Sequence, residues 1–421
     1  MDNKTIVVTV FILVYTYLIL FKSYRSIAIW CGIGALLATN VINFARIPSA
    51  INWNILGIFA GTLIIAEFFT LSRVPARLSD ILIGRSKTVG SAMLRVCLLS
   101  GLISMFIENV AVVLIIAPIA FQVVKKLKIS PVSLLIGIAI MSNLQGTATL
   151  IGDPPSMILA GQLKMNFNDF IFYHSRPGIF FAVQLSFIIG ALVLFYIFKV
   201  LKEPVPEITQ EHITSWVPTI LLCCAIIGLA LAPIFDPNFR WLSGTICVFF
   251  ALITILWSLI HNSNDSITVI KQYDWDTTLF LAGVFVLISS FESVGLIGDL
   301  KTIILRYLGS NITLNFAFIV SFSVIVSAFL DNVPYIMLMI PVTHQMGIDI
   351  GAEYLLTFGL LVGTCFGGNI TPVGASANIV AVGLLKKEGY PISFWTFVKI
   401  GLPFTIAATI GGAVFIWLIW H

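Results

Sequence analysis

The sequence is short of charge. Only 10% of its 421 residues are Asp, Glu, Lys or Arg, against about 25% in a soluble domain. No polar stretch is long enough for a water-soluble domain, and 59% of the chain is hydrophobic. Apolar runs able to cross ~30 Å of hydrocarbon recur from one end to the other. A soluble enzyme or binding module is excluded, and a polytopic membrane protein is indicated. A disulfide or metal framework is lacking too. The six cysteines, Cys31, Cys97, Cys223, Cys224, Cys247 and Cys365, lie in apolar segments without CxxC or Cys/His spacing. Small hydrophobic packing is their expected role. The five histidines fall at span ends or in loops. The formal charge of +4 sits in loops between spans, which makes it a topology signal and not a nucleic-acid footprint. The first apolar run, Ile6 to Phe21, has no small-residue cleavage site and is followed by Lys22 and Arg25. It reads as a retained span.

What is present is a pattern that occurs twice. GTATLIGDPPSMILAG, Gly146 to Gly161, is matched 222 residues later by GNITPVGASANIVAVG, Gly368 to Gly383. Gly146, Thr149, Gly152 and Gly161 fall on Gly368, Thr371, Gly374 and Gly383. Helix breakers and hydroxyls stand where a membrane helix should be plain Leu, Ile and Val. Duplicated broken helices point to the binding site of a secondary transporter. Other pairs share the spacing: Trp53 with Trp275, and, one position off, Glu108-Asn109-Val110 with Asp331-Asn332-Val333 and Pro118 with Pro341.

The fold expected is all-α and polytopic. Single spans are predicted near 5–21, 27–45, 53–71, 177–199, 214–234, 240–260, 275–296 and 396–420. Residues 96–124 and 313–346 each carry one acid near the middle and read as re-entrant hairpins. Residues 131–163 and 352–383 are too long for one straight crossing and read as broken helices. Arg73, Arg77, Arg85, Lys87 and Arg95 precede the first hairpin, and Lys125, Lys126 and Lys128 follow it. Both of its ends are therefore drawn to the cytoplasm, and its turn must be buried in protein or line a cavity. Extended along the chain, this puts both termini outside, with Lys22, Arg25, Lys199, Lys202, Lys271, Lys386 and Lys387 inside. Arg46, Lys164, Lys301 and Arg306 count against the scheme and are fewer. Two inverted repeats of five spans plus one hairpin each result, 1–200 and 216–421, joined by a cytoplasmic linker at 201–215. Phe167 to Tyr173 is read as an amphipathic stretch along the outer surface.

The mid-segment charges in this scheme are Glu67, Glu108, Asp153, Glu292 and Asp331, with no Lys or Arg at comparable depth. An ionisable group in a span costs at least ~2.5 kcal/mol, so it faces a cavity or a partner. Glu108 and Asp331 are candidates for proton relay or sodium binding. The plainer reading is that each caps the second helix of its hairpin. The duplicated acid favours function, since Ser or Thr would cap at lower desolvation cost. In the breaks, glycines open the helix and Pro154-Pro155 start a new one beside Asp153. Thr147, Thr149 and Asn143 in the first copy, and Asn369, Thr371, Ser376 and Asn378 in the second, supply polar ligands next to freed carbonyls and helix termini. Close packing explains Gly161 and Gly383 well. Glu67 and Glu292 lie near span ends and are read as snorkelling to the interface.

SNLQGTATLIGDPPSMI (142–158) and GGNITPVGASANIV (367–380) resemble the two signature segments of the ion transporter superfamily. The nearest branch is the ArsB/NhaD/P-permease group, with the divalent anion/sodium symporters more distant. IENVAVVLIIAPI (107–119) and LDNVPYIMLMIPV (330–342) are similar to that group's hairpin tips, so the resemblance spans both halves. It implies scaffold and transport domains, an elevator-like movement, a homodimer in membrane lipid, and transport of arsenite, silicic acid, dicarboxylates, citrate or Na⁺ coupled to H⁺ or Na⁺. Two departures stand out. The dicarboxylate carriers carry Ser-Asn-Thr at the tips, where extra negative charge here would repel a dicarboxylate. Gln145 replaces a common Gly and is expected to narrow or polarise the cavity.

The reading is thus of a secondary carrier in a bacterial or archaeal plasma membrane, not an enzyme, with no cofactor beyond a coupling H⁺ or Na⁺ and no nucleic-acid partner. The expected binding residues are Glu108, Asn109, Asn143, Gly146, Thr147, Thr149, Gly152, Asp153, Asp331, Asn332, Asn369, Thr371, Gly374, Ser376 and Asn378. A Na⁺ position is expected near Asn109, Asp153, Asn332 and Thr371. The solute expected is arsenite-, silicate- or anion-like; a Na⁺/H⁺ antiporter and, further off, a passive channel are the alternatives. Cysteines introduced at the two flanks of either hairpin should be labelled by an impermeant reagent from the same side of the membrane. Labelling from opposite sides would undo the scheme.

Overall fold

The structure, a computed structural model, describes residues 2–21, 24–127, 129–205, 211–261 and 263–421. Two of the expected cytoplasmic markers, Lys22 and Lys128, lie outside the described residues, as do residues 206–210 of the linker and the Lys126 side chain. The chain is built almost wholly of helices. The first stretch comprises α1 (Asn3–Leu20), α2 (Arg25–Ala38), α3 (Ile47–Ala50), α4 (Trp53–Leu71) and α5 (Val74–Gly84). Next come α6 (Val89–Ser104), α7 (Asn109–Leu127), α8 (Val132–Gly146), α9 (Pro154–Leu163) and α10 (Ile179–Phe198). After the linker follow α11 (Val217–Leu231), α12 (Leu242–His261), α13 (Ser263–Gln272), α14 (Trp275–Ser293) and α15 (Leu296–Leu308). The chain closes with α16 (Ile312–Ser327), α17 (Asn332–Ile350), α18 (Glu353–Gly367), α19 (Ser376–Lys387) and α20 (Phe394–Trp420). The order helix–turn–helix, broken helix, long helix therefore occurs as α6 to α10 and again as α16 to α20.

Each segment expected to turn or break does so at its polar residues. α6 and α7 are joined by the short turn that ends in Glu108, and α16 and α17 by the turn that ends in Asp331. α8 stops at Gly146 and α9 starts at Pro154; α18 stops at Gly367 and α19 starts at Ser376. The proline follows the preference for the first helical position, where no N–H partner is lost. Among the described residues, six helices are long and apolar enough to cross a membrane, seven if α15 and α16, which meet at 118°, count as one span.

The structure corrects the sequence reading in several places. The span expected at 27–45 is only α2, 14 residues long, or about 21 Å at 1.5 Å per residue. Thr39 ends it, and Asn40 takes a left-handed turn (φ 56°). Helices α5, α13 and α15 are additional to the expected spans. The stretch Phe167 to Tyr173, expected to lie along the surface, is partly buried. It forms a 3₁₀ turn at Asn168–Phe170 and enters a two-stranded hairpin, β1 (Phe172–Tyr173) with β2 (Arg176–Pro177). Phe170 is wholly buried there.

Packing joins the two stretches through small residues. α4 crosses α12 where Gly57 and Gly61 meet Gly244 and the backbone of Cys247, the close approach that glycine permits between membrane helices. Asn54 fastens this crossing, donating to the Phe239 carbonyl at 3.1 Å and accepting from the Gly244 N–H at 2.7 Å. α2 packs on α14 in the same manner, with Gly283 against Ile29. The broken helices interlock: α19 lies against α7 and α8, and α9 lies against α17 and α18.

Gly152 and Gly374 sit at the tightest points of the breaks. A Cβ on Gly152 would collide with the Gly146 carbonyl and lie 2.8 Å from that of Ser104; one on Gly374 would lie 2.9 Å from the carbonyls of Ala328 and Ser327. Gly161 is a packing glycine against Asn52 and Ile55. Gly383, expected to be one, is not: a Cβ there would meet nothing within 4 Å. Gly152→Ala and Gly374→Ala should each cost about 1–3 kcal/mol and lower the thermal unfolding temperature in detergent. Gly383→Ala, inside α19, should leave that temperature unchanged or raise it slightly.

Candidate functional site

The two tips are held by their own acids. The Glu108 carboxylate accepts from the N–H groups of Val110 at 3.0 Å and Ala111 at 3.3 Å. Asp331 accepts from the Val333 N–H at 3.1 Å. Both therefore cap the helices that follow. Asp153 does the same for α9, accepting from the Ser156 N–H at 3.0 Å, while Thr147 Oγ1 donates to its other oxygen at 3.4 Å. A cap uses only part of a carboxylate's accepting capacity, so Glu108 and Asp153 keep lone pairs for a ligand, whereas the second oxygen of Asp331 takes a further partner.

Tips and breaks meet around one cavity of about 790 Å³. Of the residues expected to bind, Glu108, Asn109, Asp153, Asp331, Asn332, Gly374 and Ser376 line it. The others, Asn143, Gly146, Thr147, Thr149, Gly152, Asn369, Thr371 and Asn378, are buried behind its wall and are not among its lining. Asn143 is the hub of this hidden layer. It accepts from Asn109 Nδ2 and donates to the Oδ1 atoms of Asn369 and Asn378, each at 2.9 Å. Asn378 in turn donates to the freed carbonyls of Gly368 and Thr371 at 2.9 Å. The hydroxyls of Thr149 and Thr371 donate to the carbonyls of Met105 and Ala328, tying each break to the neighbouring tip. These residues build the site's frame. Of the four residues expected around a Na⁺ ion, Asn109, Asp153 and Asn332 face the cavity, whereas Thr371 is engaged behind it.

Several cavity residues escaped the sequence reading. The expectation that no base sits at the depth of the acids is overturned by Arg25. From the start of α2 its Nη1 donates to Asp331 Oδ2 at 3.0 Å and its Nη2 to Thr277 Oγ1 at 3.2 Å; its Nε lies 3.7 Å from Asp276 Oδ2. The contact spans 306 positions of sequence, so no local pattern announces it. Glu67 lines the cavity from α4, beside Phe59 and Leu63, and does not snorkel outward. Glu292, by contrast, is exposed at the far end of α14. Tyr273, Asp274, Asp276 and Thr277 contribute from the start of α14; the paired acids of YDWDTT were the available signal. Gln145 does not shape the cavity. It forms a reciprocal amide pair with Gln184 of α10, both bonds 3.1 Å, because its helix face turns toward α10.

The Asn143→Ala variant leaves Asn109 Nδ2 and the buried Oδ1 atoms of Asn369 and Asn378 without this partner. A loss of about 1–3 kcal/mol is expected, read as a lowered unfolding temperature in detergent.

Comparison with known proteins places this geometry. The profile of the CitMHS citrate transporter family matches residues 15–363 and, in an overlapping second match, 304–421. An uncharacterized transporter of Mycobacterium tuberculosis is 27% identical over 431 residues, covering 99% of this chain and 98% of that protein. The P protein of Sus scrofa is 24% identical over 492 residues, covering 96% of this chain and 58% of that protein. Among solved structures, the YdaH transporter of Alcanivorax borkumensis has a similar fold, with a TM-score of 0.62, 15% identity, and coverage of 89% of this chain and 87% of that one. MtrF of Neisseria gonorrhoeae, described within a class of antimetabolite efflux pumps, gives 0.53 at 15% identity, covering 91% and 84%. The chain is an integral, multi-pass membrane transporter, and it belongs to the CitMHS citrate transporter family of the ion transporter superfamily.

Proposed function

We propose that the chain is a secondary active transporter that moves a small solute or ion by alternating access, driven by H⁺ or Na⁺. The observation that carries this reading is the convergence of both acidic tips and Asp153 on a single cavity between two helix breaks. Carboxylates in such a site take up a proton or a cation, and both tips belong to short turns that can shift with their helices. In this reading residues 1–200 and 216–421 are inverted repeats joined at 201–215. Helices α6 to α9 and α16 to α19 form a transport domain that slides elevator-fashion against the rest, in a homodimer with both termini outside. Glu108, Asp153 and Asp331 engage the coupling ion, and Asn109, Asn332 and Ser376 contact the solute.

Six carboxylates, Glu67, Glu108, Asp153, Asp274, Asp276 and Asp331, face Arg25 alone among the basic residues of the described lining. That balance favours a cation or a neutral hydroxylated solute of the arsenite or silicic acid kind. A second reading, an organic anion of the citrate class, is favoured by the guanidinium in the cavity and by the family's description. Na⁺/H⁺ exchange by the same acids is a third.

Purified protein in liposomes separates these. Arsenite, silicic acid and citrate fluxes are to be measured with and without a pH or Na⁺ gradient, and counterflow is to be tested for obligatory exchange. Coupled flux of one solute is expected, and Glu108→Gln or Asp331→Asn should each lower it at least ~100-fold, the scale of a lost site carboxylate. Normal coupled flux in both variants would remove the role given to the tips. Fast passive conduction without counterflow would replace the carrier by a channel.

A further inference from the structure

Arg25 is fixed from behind. Its helix is sewn to α14 by Ser26, whose backbone N–H and hydroxyl both bond Asp276 Oδ1, at 3.2 and 2.5 Å. The Thr277 hydroxyl that accepts from Arg25 is itself held by Asp274 at 2.5 Å. The guanidinium carbon lies 5.3 Å from the centre of the Phe280 ring. A planar fork pinned on this many sides loses little freedom when it takes a carboxylate. Asp331 belongs to a different element, the turn between α16 and α17, and Arg25 reaches it at the cavity wall. The pair is half-buried, at 23% and 32% side-chain exposure. Removing the guanidinium would leave Asp331 and Asp276, which both lie against it, without their shared counter-charge at the cavity wall.

We propose that the Arg25–Asp331 ion pair is a conformational latch, in which the guanidinium stands in for the coupling cation. Arg25 holds the second tip against the α2–α14 pair in the conformation seen here, and a cation engages Asp331 only when the tip leaves Arg25. Occupation of Asp331 by Arg25 and by the transported cation is then mutually exclusive, and each conformation keeps the carboxylate compensated. The first tip has no such counter-charge: among the described contacts, Glu108 bonds only backbone N–H groups. The two halves of the site are therefore unequal, with the second tip latched and the first free to respond to ligand. Tyr15, Glu67, Glu108, Asp153, Tyr273, Asp274 and Asp276 are the other titratable groups round the same cavity. None of them carries positive charge, so none can replace Arg25. The latch presupposes the alternating access proposed above.

The test is the accessibility of a cavity cysteine from each side of the membrane. Ile379 lines the cavity and is 38% exposed. Ile379→Cys is introduced into the full chain with Cys31, Cys223 and Cys224 replaced by Ser, reconstituted in oriented liposomes and labelled with an impermeant maleimide. With Arg25 in place, labelling should come mainly from the side on which Arg25 lies. Arg25→Gln should lower that rate roughly tenfold and raise the rate from the other side, as expected when a pair that biases two states is removed. Arg25→Lys keeps the charge but loses the second arm to Thr277, so it should shift labelling in the same direction by less. The exchange Arg25→Asp with Asp331→Arg should restore the original sidedness. If the parent switches sides with solute or gradient while both Arg25→Gln and Arg25→Lys label as it does, the latch alone is overturned. If the parent is labelled from one side only under every gradient and solute, alternating access fails and takes the latch with it.

Discussion

The constraint on which this molecule depends is the satisfaction of backbone polar groups where its helices are interrupted inside apolar surroundings. An open helix end in hydrocarbon has no water to turn to, so every break must carry its own partners. Thr149 and Thr371 supply them in matching positions, each donating to the carbonyl at the root of the adjacent tip. Asn378 covers two carbonyls of the second break, and Ser156 Oγ reaches the Thr147 carbonyl of the first at 3.4 Å. Gly152 and Gly374 make room for this by letting backbone meet backbone. The polar residues of the signature segments are thus spent first on architecture. Only once they are engaged can the tips bring Glu108 and Asp331 to a common cavity.

The two copies solve the same problem with different chemistry, which is informative. Where the first has Asp153 capping α9, the second has Ala375 ahead of α19, and the work passes to Asn378. Where the first has Asn143 as hub, the second has Cys365. One polar hub suffices because Asn143 reaches both Asn369 and Asn378 across the interface. A site assembled from two halves needs such a bond only once, and the departure from symmetry leaves the carboxylate of Asp153 without a counterpart in the second break. Arg25 adds a further asymmetry by engaging one tip and not the other.

The charge balance of the cavity follows from helix ends as much as from membrane depth. α2 and α14 both begin at its margin, which brings Arg25 beside Asp274 and Asp276. Helix starts are natural places for acids, which favour the positive end of the helix dipole. A guanidinium set among them is compensated by neighbours and not by solvent.

Much of the fold was legible in the sequence because it rests on local chemistry. Gly146, Pro154, Gly368 and the residues around Asn109 and Asn332 announce breaks and turns wherever they occur, since a helix loses hydrogen bonds there whatever surrounds it. Apolar length announced the long helices for the same reason. Misreadings arose where the answer depended on a distant neighbour. The burial of Phe170, the outward turn of Gln145 toward Gln184 and the inward turn of Glu67 are all decided by what lies across an interface. So is the division of the expected site residues into those lining the cavity and those supporting it, since both kinds are small, polar and buried. The sequence by itself determined that this chain lives in a membrane, where its helices break, and which acids cap the tips. The tertiary structure alone decided which polar groups face the cavity and which base balances Asp331, because charge and hydrogen bonding act over a few ångströms of space and are blind to 306 residues of chain between Arg25 and its partner.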